Sequence, residues 1–250
     1  MPIARQDLEN YIGQLLLVDT WRDYCPNGLQ IEGRPDIGRI VTGVTASLAL
    51  IDAAIDLNAD ALLVHHGFFW KGENACITRT KKARIAKLLA NDINLLAYHL
   101  PLDAHPTLGN NAQLGKKLGL VGSNHFGDQK LGWLGELETP LSLAEFTLQI
   151  DAQLQRSPLV IGPGEQLIKR VAWCTGGAQS FFHEAAQLEI DCFITGEASE
   201  FVTHLAKESG VSYIAAGHHA TERYGIEALG QHLASQYGLE HIHLDQANPV

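Results

Sequence analysis

Short apolar runs alternate with helix-like segments along most of the chain, and this alternation limits the fold more than any other feature. The run RIVTGVTAS leads into LALIDAAIDLNA, and DALLVHHG is followed by KKARIAKLLAND and then by INLLAYHLPLD. Buried strands that alternate with helices are typical of βαβ units with parallel strands. The sequence therefore predicts an α/β fold in which mostly parallel sheets are flanked by helices.

The second half of the chain repeats this plan with RVAWCTGGAQS, DCFITGEASE and VSYIAAGHHATE. TGVTAS at Thr42 corresponds to TGGAQS at Thr175, and Asp60 before ALLV corresponds to Asp191 before CFIT. The pattern predicts two similar α/β lobes, residues 1–124 and 125–250, that arose by duplication. The alternative is that any two βαβ stretches share such a pattern. The boundary is placed in GLVGSNHFGDQKLGWLG, because glycine and polar residues are typical of connections.

Composition narrows the classes of function. The 250 residues are 46% hydrophobic and carry a formal net charge of −10, so general attraction to nucleic acid or to an anionic membrane is not expected. The first residues are typical of an amphipathic helix rather than a signal peptide, and no apolar run is long enough to span a bilayer. The four cysteines have no C-x-x-C spacing, which favours reduced thiols in a cytoplasmic protein.

Histidines and carboxylates gather where the apolar runs end. Six of the twelve histidines do so in three places: His65 and His66, His99 and His105, His218 and His219. Three carboxylates accompany them: Asp103, Glu197 and Glu222. Because ligands of α/β proteins gather at the carboxyl ends of parallel strands, we expect these side chains to share one cleft. A single such histidine is more often structural, but the clustering favours a metal site.

The residue types and their spacing indicate two divalent ions. Histidine with aspartate and glutamate suits zinc, iron, manganese, cobalt or nickel, and the sequence does not distinguish among them. Successive side chains of a strand point to opposite sides, so His65 and His66 are expected to serve one ion each, or one of them to support the ligands. His218 and Glu222 would share a helix face, and Glu222 could bridge two ions. Two such ions would activate a shared water for hydrolysis.

The order and wording of six motifs resemble the dinuclear-metal-centre hexameric protein family, also called the Ngg-interacting-factor-three family. The motifs run from Asn27 to Arg223: NGLQIEG, TGVTAS, ADALLVHHGFFW, HLPLDAHPTLGNNAQLG, DCFITGE and GHHATERYG. Members of this family often carry the label GTP cyclohydrolase I type 2 homologue. The chain resembles the short bacterial form, which lacks a domain inserted between the halves.

The resemblance implies a metal site in the cleft between the lobes, with two divalent ions in each subunit of a homohexamer. Its implied ligands are those that spacing also indicates: His65, His66, Asp103, His218 and Glu222. Leu100 and Pro101 stand where many members have threonine and asparagine. The resemblance leaves open the roles of three further candidates for acid or base chemistry: His99, Glu197 and His219.

The sequence is compatible with two functions. The first is a metal-dependent hydrolase with a nucleotide-like substrate, for which the family label points to opening of the guanine ring of GTP. The second is a non-catalytic metal-binding oligomer that stores or senses metal or binds another protein. Five side chains leave several coordination positions of two ions unfilled, which favours the hydrolase.

Overall fold

A computed structural model describes residues 2–250, which form two compact units. The first comprises residues 2–109 and Gly225–Ala247, and the second comprises Asn110–Tyr224 and Asn248–Val250. The sheets and flanking helices confirm the predicted α/β class. The bounds of the units differ from those of the predicted lobes, and the internal duplication stays a prediction.

The strands and helices follow one another along the whole described chain. The strands are β1 (Ile3–Ala4), β2 (Gly28–Ile31), β3 (Asp36–Ile37), β4 (Arg39–Thr45), β5 (Ala61–His66), β6 (Asn94–Ala97), β7 (Leu120–Phe126), β8 (Gly132–Ser142), β9 (Leu159–Ile161), β10 (Leu167–Trp173), β11 (Cys192–Thr195), β12 (Ser212–Ala215) and β13 (Glu240–His243). The α-helices are α1 (Arg5–Leu15), α2 (Leu48–Asp56), α3 (Arg79–Ala90), α4 (Leu100–Ala104), α5 (Asn110–Lys117), α6 (Leu143–Leu154), α7 (Phe182–Ala185), α8 (Glu200–Ser209) and α9 (His218–Tyr237). Three short 3-10 helices cover Val18–Thr20, Asp128–Lys130 and Gln179–Phe181. Between residues 2 and 250, none of the helices is both long enough and apolar enough to cross a membrane.

The sheet of the first unit has the strand order β13-β4-β5-β6-β2. Its first four strands are parallel, and only β2 at the edge is antiparallel to its neighbour. Alternate residues of β5 serve two cores: Leu62 packs with α2 and α3 residues, and Leu63 packs with residues of α1 and α9. Both faces are therefore covered, as expected for a parallel sheet. The carboxyl ends of β4, β5 and β6 consequently lie side by side.

The sheet of the second unit is mixed, with the order β7-β8-β10-β11-β12-β9. The strands β10, β11 and β12 are parallel, as the sequence predicts, but antiparallel strands flank them on both sides. The glycine-rich stretch that was predicted as a connection between lobes instead forms β7, β8 and the turn between them. Glycine has a packing role here, because a Cβ atom on Gly122 would meet the ring of Trp133 at 2.8 Å.

Candidate metal centre

The paired histidines end the central strand β5 of the first unit. His65 is buried, and its Nδ1 lies 2.9 Å from the carbonyl oxygen of Tyr98, which follows β6. Since a carbonyl oxygen only accepts, His65 carries its proton on Nδ1 and can offer the lone pair of Nε2 to a ligand. His66 Nδ1 lies 3.1 Å from the hydroxyl of Thr45, the last residue of β4. The two neighbouring strands thus hold the two rings.

The two rings do not point to opposite sides, and that expectation is wrong. Their centroids are only 4.5 Å apart. His66 is the last residue of β5, and strand side chains lean along the strand direction. The two rings therefore lie together at the carboxyl end of the strand, and each is held by a group from a different neighbouring strand.

His99, which follows β6, completes a cluster of three imidazoles. Its ring centroid lies 5.1 Å from that of His65, and the ligand nitrogens of all three histidines lie within 4.8 Å of one another. His99 Nδ1 donates to Asp23 at 2.7 Å, and its backbone N–H donates to Asn27 Oδ1 at 2.7 Å. Burial by itself raises the pKa of Asp23, but the bonds from His99 and Asn27 outweigh it and lower that pKa. Asp23 is therefore an anion that fixes the orientation of His99.

Asp103 lies on α4 and faces the first of the paired histidines. Its Oδ1 is 3.5 Å from His65 Nε2. Two donors on one ion are separated by about 3.0 Å in octahedral geometry and by about 3.4 Å in tetrahedral geometry, given bonds of about 2.1 Å. The pair therefore has the separation that a shared ion requires. His105 has a different role, because its Nδ1 accepts the backbone N–H of Leu108 at 3.0 Å.

A cysteine also lies in this part of the first unit. Cys25, Asp23 and His99 offer donor atoms within 4.8 Å of one another. Burial, and then the charges of Asp23 and Asp103, raise the pKa of Cys25 to about 12. Cys25 is therefore a neutral thiol near pH 7, in agreement with the predicted reduced thiol.

In the second unit, a histidine and a glutamate lie on the first turn of α9. The predicted helix begins at His218. His218 Nε2 lies 3.0 Å from Glu222 Oε2, so the two side chains share a helix face, as expected. His218 Nδ1 donates to Glu197 Oε1 at 2.6 Å. Burial alone would lower the pKa of His218, but Glu222 and Glu197 raise it to about 9. His219 is buried, and its backbone N–H donates to the carbonyl of Val250 at 3.0 Å.

The TGGAQS motif, which follows β10, supports this pair. Gly176 has φ +68°, and its N–H donates to Thr221 Oγ1 at 3.0 Å. A Cβ atom on Gly176 would overlap Glu222 Oε1. Only glycine therefore allows the loop to approach the carboxylate so closely.

Sequence reasoning missed the groups that orient the histidines. Asp23 and Asn27 are more than 70 residues from His99 along the chain, and Thr45 is 21 residues from His66. Asn27 lies within the motif NGLQIEG, which gave the one signal at this position. A backbone acceptor such as the carbonyl of Tyr98 leaves no signal in residue type at all.

The chain is similar to known proteins over almost its whole length. The chain matches the model of the family Duf34/NIF3 (NGG1p interacting factor 3) over residues 3–249. A protein of Neisseria meningitidis serogroup A, named "GTP cyclohydrolase 1 type 2 homolog", is 52% identical over 247 residues, which are 99% of each chain. An Escherichia coli protein of the same name is 50% identical over 97% of this chain and 98% of its own.

Solved structures of similar proteins have the same fold over nearly the whole chain. Protein ybgI, described as of unknown function, has a TM-score of 0.96 at 49% identity and covers 99% of this chain and 100% of that chain. TTHA1606 from Thermus thermophilus has a TM-score of 0.89 at 32% identity, with the same coverage. The fold and the side-chain clusters define an α/β protein with groups that could hold metal. The chain belongs to the Duf34/NIF3 family, which confirms the resemblance found in its motifs.

Proposed function

We propose that this protein binds two divalent metal ions through His65, His66, Asp103, His218 and Glu222 and uses them to hydrolyse a nucleotide-like substrate. One observation carries the proposal: in all three histidines a neighbouring oxygen holds Nδ1. Metal-binding histidines almost always have their other ring nitrogen held in this way. In His65 and His218, Nε2 also lies 3.5 Å and 3.0 Å from a carboxylate oxygen.

The donor set fits the proposed ions. Imidazole and carboxylate ligands suit zinc, iron, manganese, cobalt and nickel, and the buried neutral thiol of Cys25 is not required. When bound, such ions supply Lewis acidity that activates water for hydrolysis near neutral pH. Relatives named "GTP cyclohydrolase 1 type 2 homolog" support GTP as the first substrate to test.

The three candidates for acid or base chemistry have different surroundings. Glu197 holds His218 through one oxygen and accepts from Gln179 Nε2 at 3.3 Å through the other, so it positions a ligand. His219 is buried. His99 is oriented by Asp23 and packs edge-on against the ring of Trp70, with the centroids 5.0 Å apart. We therefore propose His99 as the side chain that contacts the substrate.

Metal analysis and a substrate screen test this proposal together. The metal-stripped protein is loaded separately with manganese, zinc and iron, and its metal content is measured before it is offered GTP, other nucleotides, phosphodiesters and amides. We expect two equivalents of metal and turnover of a nucleotide. His66→Ala should lose both metal and turnover. His204→Ala removes an exposed histidine and serves as the matched control for adventitious binding.

Replacement of Glu222 tests whether one carboxylate serves both ions. We expect Glu222→Gln to lower the content of both, because the neutral amide has lost the charge and one of the two oxygens that a bridge needs. Two full equivalents in this variant would contradict the bridge. Two equivalents in the wild type without turnover of any compound would favour the alternative function, a non-catalytic metal-binding module.

We also propose a homohexamer. Native mass spectrometry should give six times the chain mass of 27.3 kDa, and a monomer at micromolar concentration would contradict this. The metal and substrate measurements do not depend on that result.

A further inference from the structure

Trp70 offers a partly exposed aromatic ring beside the histidine cluster of the first unit. Its ring centroid lies 5.0 Å from that of His99 and 5.8 Å from that of His66. The planes of these imidazoles are inclined to the indole by 86° and 58°, so neither lies flat on it. Among residues 2–250, no aromatic ring is stacked on Trp70. The indole therefore retains surface on which a planar molecule can stack.

The fold does not use the indole N–H of Trp70. A buried tryptophan usually finds a hydrogen-bond partner for this group. In Trp70 the nitrogen is not fully buried, and no group in residues 2–250 accepts a hydrogen bond from it. The side chain is thus held beside the histidines without serving the fold as a donor, which favours a role toward a ligand.

The backbone before Trp70 gives the side chain this position. Phe68 and Phe69 pack against the core of the first unit, whereas Trp70 lies against the histidines. Phe69 has φ +65°, a left-handed conformation that is uncommon for a bulky residue and is often found at functional sites. The next residues form a turn, because the Trp70 N–H donates to Glu73 Oε2 at 3.3 Å and the Trp70 carbonyl accepts the Glu73 N–H at 3.0 Å. A strained backbone followed by a fixed turn therefore places the indole.

We propose that Trp70 binds the substrate by stacking on a planar heterocyclic ring, such as a purine base. Stacked rings are in contact at about 3.5–4.0 Å, so a ring on the indole would lie beside His66 and His99. The base, rather than a phosphate group, is then the part of the substrate next to the histidines. This inference rests on the proposed function, since it assigns the base of the nucleotide-like substrate to a particular residue.

Calorimetric titration of the manganese-loaded full chain with guanosine 5′-monophosphate tests the proposal, with ribose 5-phosphate as a probe that lacks only the base. We expect the nucleotide to bind about 10-fold or more tightly than the sugar phosphate. Trp70→Leu should weaken nucleotide binding by about 10-fold, because stacking is lost, and should leave the affinity for ribose 5-phosphate within about twofold. Trp70→Phe should weaken nucleotide binding only a few-fold, since a smaller ring still stacks. Trp21→Leu changes another partly exposed tryptophan of the same unit and is the matched control.

Each outcome decides the proposal. Equal affinity for the two probes, or unchanged nucleotide affinity in Trp70→Leu, would overturn it, and an equal loss in Trp21→Leu would overturn the assignment to Trp70. Loss of an oligomer in Trp70→Leu with unchanged nucleotide affinity would show an interface residue instead. Should Trp70→Leu lose metal, the titration of Trp70→Phe decides.

The same titration distinguishes this inference from the proposed function. Nucleotide binding that depends on Trp70, without turnover of any compound, would support the ring contact and reject the hydrolase. Turnover of a nucleotide that Trp70→Leu binds as tightly as the wild type does would support the hydrolase and reject the ring contact.

Discussion

Gly176→Ala should show how much metal affinity depends on the position of the Glu222 carboxylate, because the substitution displaces this carboxylate without removing it. The added methyl group would occupy the place of Glu222 Oε1, so the carboxylate must withdraw by about 1 Å or more to restore van der Waals contact. In the proposed centre, such a displacement moves a ligand off its ion. Changes around metal ligands typically cost 10- to 100-fold in affinity, which is about 1.4 to 2.7 kcal/mol.

The same substitution has a cost that does not involve metal. Gly176 has φ +68°, and alanine in this conformation is less favourable than glycine by about 1 kcal/mol. Thermal unfolding in the presence of a chelator should show this cost together with that of displacing the Glu222 carboxylate, but not the loss of metal binding. The loss of metal affinity is measured separately, by competition between the protein and a chromogenic chelator for manganese or zinc.

Gly177→Ala is the matched control. A Cβ atom there would meet the nearest atom, His218 Cε1, at 3.6 Å, which is an ordinary contact. We expect metal affinity within about twofold of the wild type and a change in stability within about 0.5 kcal/mol. If Gly176→Ala bound metal as tightly as Gly177→Ala does, Glu222 would not be a ligand, and His218 would be the remaining proposed ligand from the second unit.

Two further predictions use the same measurements. Glu197→Gln should lower metal affinity by about 10-fold with little change in melting temperature, since its charge orients His218 through a 2.6 Å hydrogen bond; unchanged affinity would leave it without a positioning role. Burial, and then the nearby His243, lower the pKa of His241, whereas Glu227 opposes the shift. Below the ordinary pKa of about 6.5 the unfolded chain therefore binds the proton first, so the free energy of unfolding should fall as pH decreases from 7 to 5. His241→Gln should flatten that part of a urea-denaturation series, and an unchanged slope would contradict the shift.

The sequence predicted the elements that carry local periodicity. The apolar run before His65 and His66 is the strand β5, and the segment from His218 is the first turn of α9. The strand and the helix turn each depend on residues that are close together in the chain. Their burial and i,i+4 spacing can therefore be recognised in the sequence. The proximity of Asp103 to His65 also follows from the parallel order of β5 and β6.

The flanking strands of the second unit were not predicted, for a physical reason. β7 has exposed residues from Val121 to His125, so it lacks the apolar run by which a buried strand is recognised. Its pairing with β8 depends on close packing of glycine against Trp133. Such packing is set by distant parts of the chain, and its glycines are indistinguishable in sequence from those of a loop.

The topology explains why the candidate histidines are so firmly oriented. β5 lies between β4 and β6, so the group that holds His66 ends one neighbouring strand and the group that holds His65 follows the other. In the second unit the histidine is held by a side chain: Glu197, which follows β11, accepts a hydrogen bond from His218 at the start of α9. In each case the support comes from a different element than the histidine. The imidazoles are therefore held by neighbouring elements of the fold, and in the proposed metal centre loss of a support should weaken metal binding even when every ligand is present.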